Sequence, residues 1–393
     1  MCHRLQQIVA KQTCINPSVC RAYRDVHIDT VIRLRLHQPQ SRPILWCWLS
    51  PALRSGLLVS GTWKLSNPAP PKPFRTYPDL VALLVSRGMH IHDPSRAERK
   101  LAQLGYYRLS GYWYPVREFK MNGLQQAACP FTGKPLRLDT FQAATSFDSA
   151  VDLYKFDKQL RMLMLDAVER LEVHLKTVMA HEVGYHDPMA YTNVKFILPK
   201  WTQPYTDHRG NSRNKWTEWS QKQQSHIARS KEDCIQWHFR AGKSIPVWVA
   251  VEAWDFGDLS EFFELLNSKY QNLILARLGL NNAKMLSRWM QQTSHLRNRC
   301  AHHTRIWNQA SPNPLAVPAE PYFQMLGLDQ HALKRLYGVI AVIWFLLQRI
   351  APASTWINDV ADLIDSKPAM PGCTFKAMGF PDEAGFPRKL FGI

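Results

Sequence analysis

The sequence predicts an all-α protein, and two stretches of helical periodicity account for most of that prediction. From residue 149 to residue 183, apolar side chains recur with a period of about 3.6 residues, at Leu153, Phe156, Leu160, Met164, Ala167, Val168, Leu171, Leu175 and Val178. From residue 286 to residue 300, a second apolar stripe recurs every three or four residues, at Leu286, Trp289, Met290, Thr293, Leu296 and Cys300. Apolar residues make up 46% of the 393 positions and charged residues 20%, which is typical of a globular chain.

The first 71 residues differ in composition from the rest of the chain. Residues 1–67 carry nine lysines and arginines against two aspartates and show no sustained helical period. We expect either a disordered basic extension or a start codon placed too far upstream, and a basic arm that binds RNA is the alternative. The prolines up to residue 71 predict a stiff linker.

Residues 72–148 predict a small helical N-terminal module. Thr76 and Asp79 have the spacing of a capping box at the start of a helix. Asp93 directly before Pro94 predicts the start of a second helix. Further on, a stretch with glycine, proline and cysteine but no period predicts a loop or a hairpin between residues 120 and 139.

An aromatic-rich segment, residues 106–115, follows the second helix of this module. Rings at such a density usually pack into a core, and that is the interpretation we favour. The alternative is that they stack on RNA bases around Arg108, because aromatic rings and guanidinium groups are the common partners of unpaired bases.

Residues 149–365 predict the main helical domain, and residues 366–393 an irregular C-terminal tail. The run from Leu336 to Leu347 is the most apolar of the chain, but it is shorter than the roughly 20 residues that a membrane span requires. It therefore predicts a buried helix, with no membrane partner. Between residues 245 and 266 we expect one helix that is broken at residues 256–258 and a second that follows.

Charge and cysteine usage restrict the class of partner. The formal net charge is +18 and the pI about 9.6, which favours an anionic partner, with nucleic acid as the leading candidate. A merely basic surface is the alternative. The eight cysteines contain no CxxC pair and no metal-ligand spacing, so we expect reduced thiols in a cytoplasmic protein and neither a metal site nor a cofactor.

A polar segment between residues 200 and 243 interleaves basic and aromatic side chains. This combination is typical of surfaces that bind single-stranded RNA, and it makes Arg209, Arg213 and Lys215 candidate RNA contacts. A surface loop anchored by its tryptophans is an equally good interpretation.

The most informative stretch is LRNRCAHHTRIWN, residues 296–308, at the end of the second apolar stripe. Arg297, Asn298, His302 and His303 lie off that stripe. An imidazole can move a proton near neutral pH and a guanidinium can hold a phosphate, so this set can serve RNA cleavage through the 2′-hydroxyl. On a straight helix, however, Arg297 and His302 lie roughly 140° apart. A shared site then needs a bent helix end or a second copy of the motif, and a basic helix terminus with hydrogen-bonded histidines is the alternative.

RNRCAHH resembles the signature of HEPN ribonucleases, an arginine, a polar residue, three further residues and a histidine. The longer stretch resembles the end of the Abi-like family (AbiD/AbiF type) of abortive-infection proteins. Three earlier blocks are similar to that family in the same order: residues 87–119, 153–177 and 245–266. The resemblance implies a HEPN-like helical bundle, a role in cleaving or binding RNA, and a place in phage defence.

With this resemblance, the chain is expected to be a metal-independent endoribonuclease that acts as a toxin-like effector. Arg297 would hold the scissile phosphate, His302 would be the general acid or base with His303 as its substitute, and Asn298 would orient His302 or bind phosphate. Glu169 and Glu172 lie with Arg161 on a second, mostly polar face of the helix predicted over residues 149–183. In the HEPN arrangement either glutamate could hold Arg297, although a solvated face is the alternative for both.

Because the chain has one motif, we also expect two copies to form a composite site in a homodimer. A cognate RNA is a further possible partner. The alternative function is a non-catalytic module that holds a structured RNA through Arg299, Arg305 and the basic loop. A structural partner in a toxin–antitoxin pair is a third interpretation.

Overall fold

The computed structural model describes residues 71–130 and 133–393. These residues fold mostly into α-helices, with three short antiparallel strand pairs, which confirms the predicted fold class. They belong to one compact unit. The predictions for residues 1–70 lie outside the described part of the chain.

The helices, numbered in chain order, are α1 (Tyr77–Ser86), α2 (Pro94–Leu104), α3 (Tyr106–Trp113), α4 (Phe147–Gly184), α5 (Lys215–Arg229), α6 (Asp233–Arg240), α7 (Val247–Ala250), α8 (Phe256–Leu265), α9 (Ser268–Arg277), α10 (Ala283–Ala301), α11 (Pro321–Met325), α12 (Leu336–Ile350), α13 (Trp356–Asp365) and α14 (Arg388–Phe391). The strands are β1 (Arg117–Phe119), β2 (Met121–Asn122), β3 (Gln125–Gln126), β4 (Arg137–Phe141), β5 (Tyr205–Thr206) and β6 (Ser212–Arg213). Each pair is antiparallel: β1 with β4, β2 with β3, and β5 with β6.

The N-terminal helices begin where the sequence predicts. Thr76 and Asp79 make both hydrogen bonds of the capping box at α1. Asp93 caps α2, whose first residue is Pro94. The predicted loop or hairpin is the set of short strands β1–β4, in which Arg117 faces Phe141 and Phe119 faces Arg137.

Helix α4 is the element on which the other helices pack. It is 38 residues long, and every residue of its predicted apolar stripe is buried. Seven helices pack against it: α3, α7, α8, α9, α10, α12 and α13. Helix α10 also packs against α8, and its own predicted stripe is buried as well. The two long amphipathic helices therefore supply the centre of the core, since each buries its apolar face against several neighbours.

Two details of the predicted helices are wrong. Arg161 was expected on a polar face of α4, yet it is only 3% exposed, because the carboxylate of Asp157 one turn earlier pairs with it inside the protein. The predicted break at residues 256–258 is instead the first turn of α8. Asp255 and Asp258 form a capping box there, so the polar residues begin a helix rather than interrupt one.

The most apolar run and the tail both contribute to the core. Nearly all of α12 is buried, as predicted. Among the described residues, no helix combines the length and the hydropathy needed to cross a membrane. The tail is irregular apart from short helical turns, but its aromatic side chains are buried, at Phe380, Phe386 and Phe391.

Candidate active site at the end of α10

Helix α10 ends inside the motif, at Ala301. The N–H of His303 donates to the carbonyl of Cys300 at 3.0 Å and the N–H of Thr304 to that of Arg299 at 2.8 Å. This is the pattern of a Schellman motif, in which the residue after the C-cap takes a left-handed conformation. His303 occupies that position with φ 56°, where glycine is usual. The sequence therefore predicted the helix but not the turn at which it ends.

The four motif side chains lie around this helix end. Asn298, His302 and His303 are exposed, and Arg297 is half-buried. The guanidinium of Arg297 donates to the side-chain oxygen of Asn298, with 3.5 Å between Nη1 and Oδ1. Asn298 and His302 are four residues apart and so share a helix face. Asn298 therefore contacts Arg297 and lies on the face of the helix that carries His302, while Arg297 and His302 themselves lie on different sides of α10.

A buried carboxylate holds the chain that follows the motif. Asp157 of α4 is fully buried, and its Oδ1 accepts the backbone N–H groups of Ile306 at 3.1 Å and Trp307 at 2.8 Å. Its Oδ2 accepts the hydroxyl of Tyr112 at 2.8 Å and the guanidinium of Arg161. Sequence reasoning missed this residue, although a charged residue inside the apolar stripe of α4, with an arginine four positions later, was a visible signal.

Burial is the main cause of the pKa shifts in this cluster. Burial raises the pKa of the Asp157 carboxyl, while the Arg161 guanidinium and the Tyr112 hydroxyl act to lower it. Burial also raises the pKa of the Cys300 thiol, to about 12. Cys300 is therefore a protonated core residue and not a nucleophile at neutral pH.

Arginines bind three backbone carbonyls of the turn. Arg108 of α3 donates to the carbonyl of His303 at 3.1 Å, Arg299 to that of Arg305 at 2.8 Å, and Arg335 to that of Asn308 at 2.7 Å. Neither Arg108 nor Arg335 was predicted in this role. The predicted RNA contact Arg299 spends at least one of its donors on the protein itself.

The cluster behind the turn carries more positive than negative charge. Arg299 and Arg305 are half-buried, and burial lowers the pKa of both, an effect that the Asp157 carboxylate partly opposes. Within the described residues neither forms an ion pair, and Arg305 Nη1 is buried without a hydrogen-bond acceptor. Arg161 is the third guanidinium beside the same single carboxylate. Desolvated positive charge that lacks a partner favours an anion.

Glu169 and Glu172 do not hold Arg297 within one chain. Glu172 pairs with Lys176, with 3.5 Å between Oε1 and Nζ, and Glu169 is exposed. Among the described residues neither glutamate forms a hydrogen bond or an ion pair with Arg297. The support of Arg297 by either glutamate stays a prediction.

The hairpin of β5 and β6 and the first residue of α5 carry the predicted RNA contacts Arg209, Arg213 and Lys215. This segment, called the basic hairpin below, lies apart from the motif turn. Arg213 pairs with Glu218 through two hydrogen bonds of 2.5 and 2.8 Å, and Lys215 pairs with Glu264 at 2.8 Å. Glu264 also accepts a hydrogen bond from Gln291 of α10, eleven residues before His302 and hence about 16 Å along the helix. Two of the three predicted RNA contacts here are therefore already neutralised.

Arg209, the third, is exposed in the tip of the same hairpin. Its backbone N–H donates to the Asp207 carboxylate. This carboxylate therefore holds the backbone of the hairpin tip. Among the described residues Arg209 forms no ion pair, so its guanidinium is available to a ligand.

One group of side chains has the spacing of a cation site. His226, Asp255 and Asp258 each place one ligand atom within 4.8 Å of the others. Lys222 Nζ lies 2.9 Å from Asp258 Oδ1, and His226 Nδ1 contacts the other oxygen of the same carboxylate. Since both oxygens of Asp258 already have partners and the two aspartates cap α8, this group is explained by helix capping and ion pairing.

Replacing Asp157 should test whether this carboxylate holds the turn. We expect Asp157→Ala to lower the free energy of unfolding by about 3–5 kcal/mol, because it leaves a buried arginine and two N–H groups without an acceptor. Asp152→Ala, which removes an exposed pair with Lys155 on the same helix, should cost less than about 0.5 kcal/mol. Urea denaturation followed by circular dichroism measures both, and equal losses would contradict the assignment.

His303→Gly should stabilise the fold. Glycine removes the left-handed strain of about 1–2 kcal/mol, which exceeds its entropic cost of about 0.5–1 kcal/mol. His302→Gly is the matched control, because His302 has φ −86° and gains no such relief, so it should destabilise. The same urea titration measures the change in the free energy of unfolding for both variants. If His303→Gly lowered that free energy, the imidazole itself would support the fold.

Comparison with known proteins places this turn within a family. The family model for Abi-like proteins matches residues 99–308, which begin within α2 and end just after the motif turn. No curated protein matches the chain, and no solved structure matches it either. Because the match covers just over half of the 393 residues, the chain belongs to the family of Abi-like proteins.

Proposed function

We propose that this chain is a metal-independent endoribonuclease that cuts RNA at the end of α10. Its family suggests a part in abortive infection, a form of phage defence, and in that setting the chain would be a growth-arresting, toxin-like effector in the cytoplasm. The function rests mainly on one observation: a helix end that exposes Asn298, His302 and His303 beside Arg297. Behind it lie the guanidinium groups of Arg299 and Arg305, which form no ion pair among the described residues.

The chemistry needs no cofactor, because RNA supplies its own nucleophile. A base removes the proton of the 2′-hydroxyl, whose oxygen attacks the adjacent phosphorus while an acid protonates the departing 5′-oxygen. The products carry a 2′,3′-cyclic phosphate and a 5′-hydroxyl. In the proposal His302 moves one of these protons and Arg297 holds the phosphate, whose developing charge it stabilises.

Asn298 and His303 have supporting roles in the proposal. Asn298 accepts a hydrogen bond from the Arg297 guanidinium and shares a helix face with His302, so in the proposal it holds the guanidinium and orients His302 or binds phosphate. His303 supplies a second imidazole on the turn. Arg299 and Arg305 contribute positive potential from behind the turn, rather than direct contacts, because both are half-buried.

We also propose that the working unit is a homodimer in which two motif turns face each other. Arg297 and His302 lie on different sides of α10, and a second copy related by a two-fold axis would place the arginine of one chain beside the histidine of the other. The exposed Glu169 would then be available to the partner's α10, whereas Glu172 keeps its pair with Lys176.

A non-catalytic RNA-binding protein is the second candidate. The uncompensated charge of Arg299 and Arg305 supports it, because such charge attracts phosphate whether or not a bond is cut. It predicts RNA that stays intact when bound, with an affinity that falls steeply as salt increases.

The two functions differ in a cleavage assay in EDTA. The wild type should convert labelled RNA to fragments that end in 2′,3′-cyclic phosphate, as mass spectrometry detects. His302→Ala should lower the rate by about 10²–10⁴-fold through loss of proton transfer, and Arg297→Ala by about 10²–10³-fold through loss of charge stabilisation.

His295→Ala is the matched control, since His295 is an exposed histidine on the same helix and should be neutral. An oligonucleotide without 2′-hydroxyls should resist cleavage. Wild-type protein that binds RNA but leaves it intact would favour the binding module. Activity that survives both His302→Ala and Arg297→Ala would contradict the proposed site.

Mixing two inactive variants tests the composite site. If each site takes its arginine from one chain and its histidine from the other, a heterodimer of Arg297→Ala and His302→Ala chains contains one complete site. The mixture should regain up to about half the wild-type activity per heterodimer, because one of two symmetric sites is intact. A mixture that stays inactive after subunit exchange would instead favour a site within one chain.

A further inference from the structure

The aromatic helix α3 buries most of its rings but leaves one in solvent. Tyr112 and Trp113 are core residues, as the sequence analysis favoured. Tyr107 is 72% exposed. Its ring stands edge-to-face on Tyr106, with centroids 5.5 Å apart, and Tyr106 in turn packs against Trp113 at 5.3 Å. The exposed ring is therefore supported by a stack that reaches the core.

The helix that carries this ring contacts the motif turn. The residue after Tyr107 is Arg108, whose guanidinium donates to the carbonyl of His303, and adjacent Cα atoms are only about 3.8 Å apart. Further along the same helix, Gly111 lies against the Arg305 guanidinium. Helix α3 thus packs along one side of the turn. On this helix the exposed ring of Tyr107 is next in sequence to the guanidinium of Arg108.

We propose that Tyr107 is a stacking platform for an unpaired base next to the scissile phosphate, so that the substrate is single-stranded RNA. This inference rests on the proposed function. A base inside a duplex is already stacked on both faces and cannot reach an exposed ring, whereas a base in a loop or single strand can. Stacking on tyrosine tolerates any base, because each base has an aromatic face.

Because the Tyr106 ring holds Tyr107 in place, the platform selects for the path of the RNA strand and not for its base sequence. Tyr107 cannot fold back onto the protein without leaving Tyr106, and Arg108 is fixed by its bond to the turn. A strand whose base lies on Tyr107 would therefore pass His303 within the reach of one or two nucleotides. The paired arrangement of ring and guanidinium resembles in kind the aromatic and basic surfaces that bind single strands.

Fluorescence anisotropy with oligonucleotides that cannot be cut tests the platform separately from cleavage. The probe is a fully 2′-O-methylated single strand, with the duplex of the same sequence as comparison. Tyr107→Ala should weaken single-strand binding by about 5- to 150-fold and leave duplex binding unchanged. Tyr107→Phe should bind as the wild type does, because it keeps the ring.

Tyr185→Ala is the matched control. Tyr185 is 84% exposed and also stands edge-to-face on a neighbour, His186, but it follows the far end of α4, about 42 Å along that helix from Asp157. It should not change RNA affinity. Equal losses for Tyr107→Ala and Tyr185→Ala would overturn the inference.

The outcomes separate this inference from the proposed function. If the wild type cuts RNA in EDTA and Tyr107→Ala binds the single strand normally, the platform is wrong and the nuclease stands. If duplex RNA binds and is cut as well as single-stranded RNA, the substrate class is wrong. If the wild type neither binds nor cuts RNA, both proposals fail together.

Discussion

The Asp157 carboxylate is the contact on which the candidate site depends. It lies on the buried face of α4 and joins three separate parts of the chain. Tyr112 comes from the N-terminal module, Arg161 from its own helix, and the N–H groups of Ile306 and Trp307 from a segment about 150 residues later. An ionised carboxylate is costly to bury without donors. The contact therefore forms fully only when the module, the long helix and the motif segment have all come together.

The same contact explains how an irregular turn can have a fixed shape. Backbone groups in loops usually rely on water, whereas between residues 303 and 308 they bind side chains from α3, α4, α10 and the start of α12. Three of those side chains are arginines. The turn is consequently rigid and lies in a positive potential, while its two imidazoles stay exposed. A rigid backbone with accessible proton carriers is the arrangement that places catalytic groups without reorganisation.

Periodicity predicted the helical frame well because it depends on neighbouring residues alone. The stripes of α4 and α10, the caps at Thr76 and Asp93 and the burial of α12 follow from local sequence and are found in the structure. Periodicity could not assign the charged side chains. Whether Arg161 faces water or a buried acid depends on a partner, and so does the use of Arg299 by a carbonyl.

The ion pairs of the basic hairpin were hidden for the same reason. In the sequence Arg213 and Lys215 look like unpaired cations of a polar segment. In the folded chain Glu218 pairs with Arg213 and Glu264 with Lys215. The motif was visible because it is contiguous. The side chains that hold it, Asp157, Arg108 and Arg335, were not, since they come from three distant elements.

The backbone at the turn also bears on how the two imidazoles divide the work. Positive φ alone does not mark a functional residue, because Ala144 has φ 61° without any side-chain chemistry. At His303, though, both flanking N–H groups and the carbonyl are bound, so the conformation is imposed on whatever residue stands there. His302 keeps a helical φ and follows the face of Asn298, whereas the left-handed backbone directs His303 elsewhere. Two imidazoles that leave the chain in different directions are poorly suited to replace each other. In the proposed reaction they would suit an acid and a base on opposite sides of one phosphate, as attack by the 2′-hydroxyl and departure of the 5′-oxygen require.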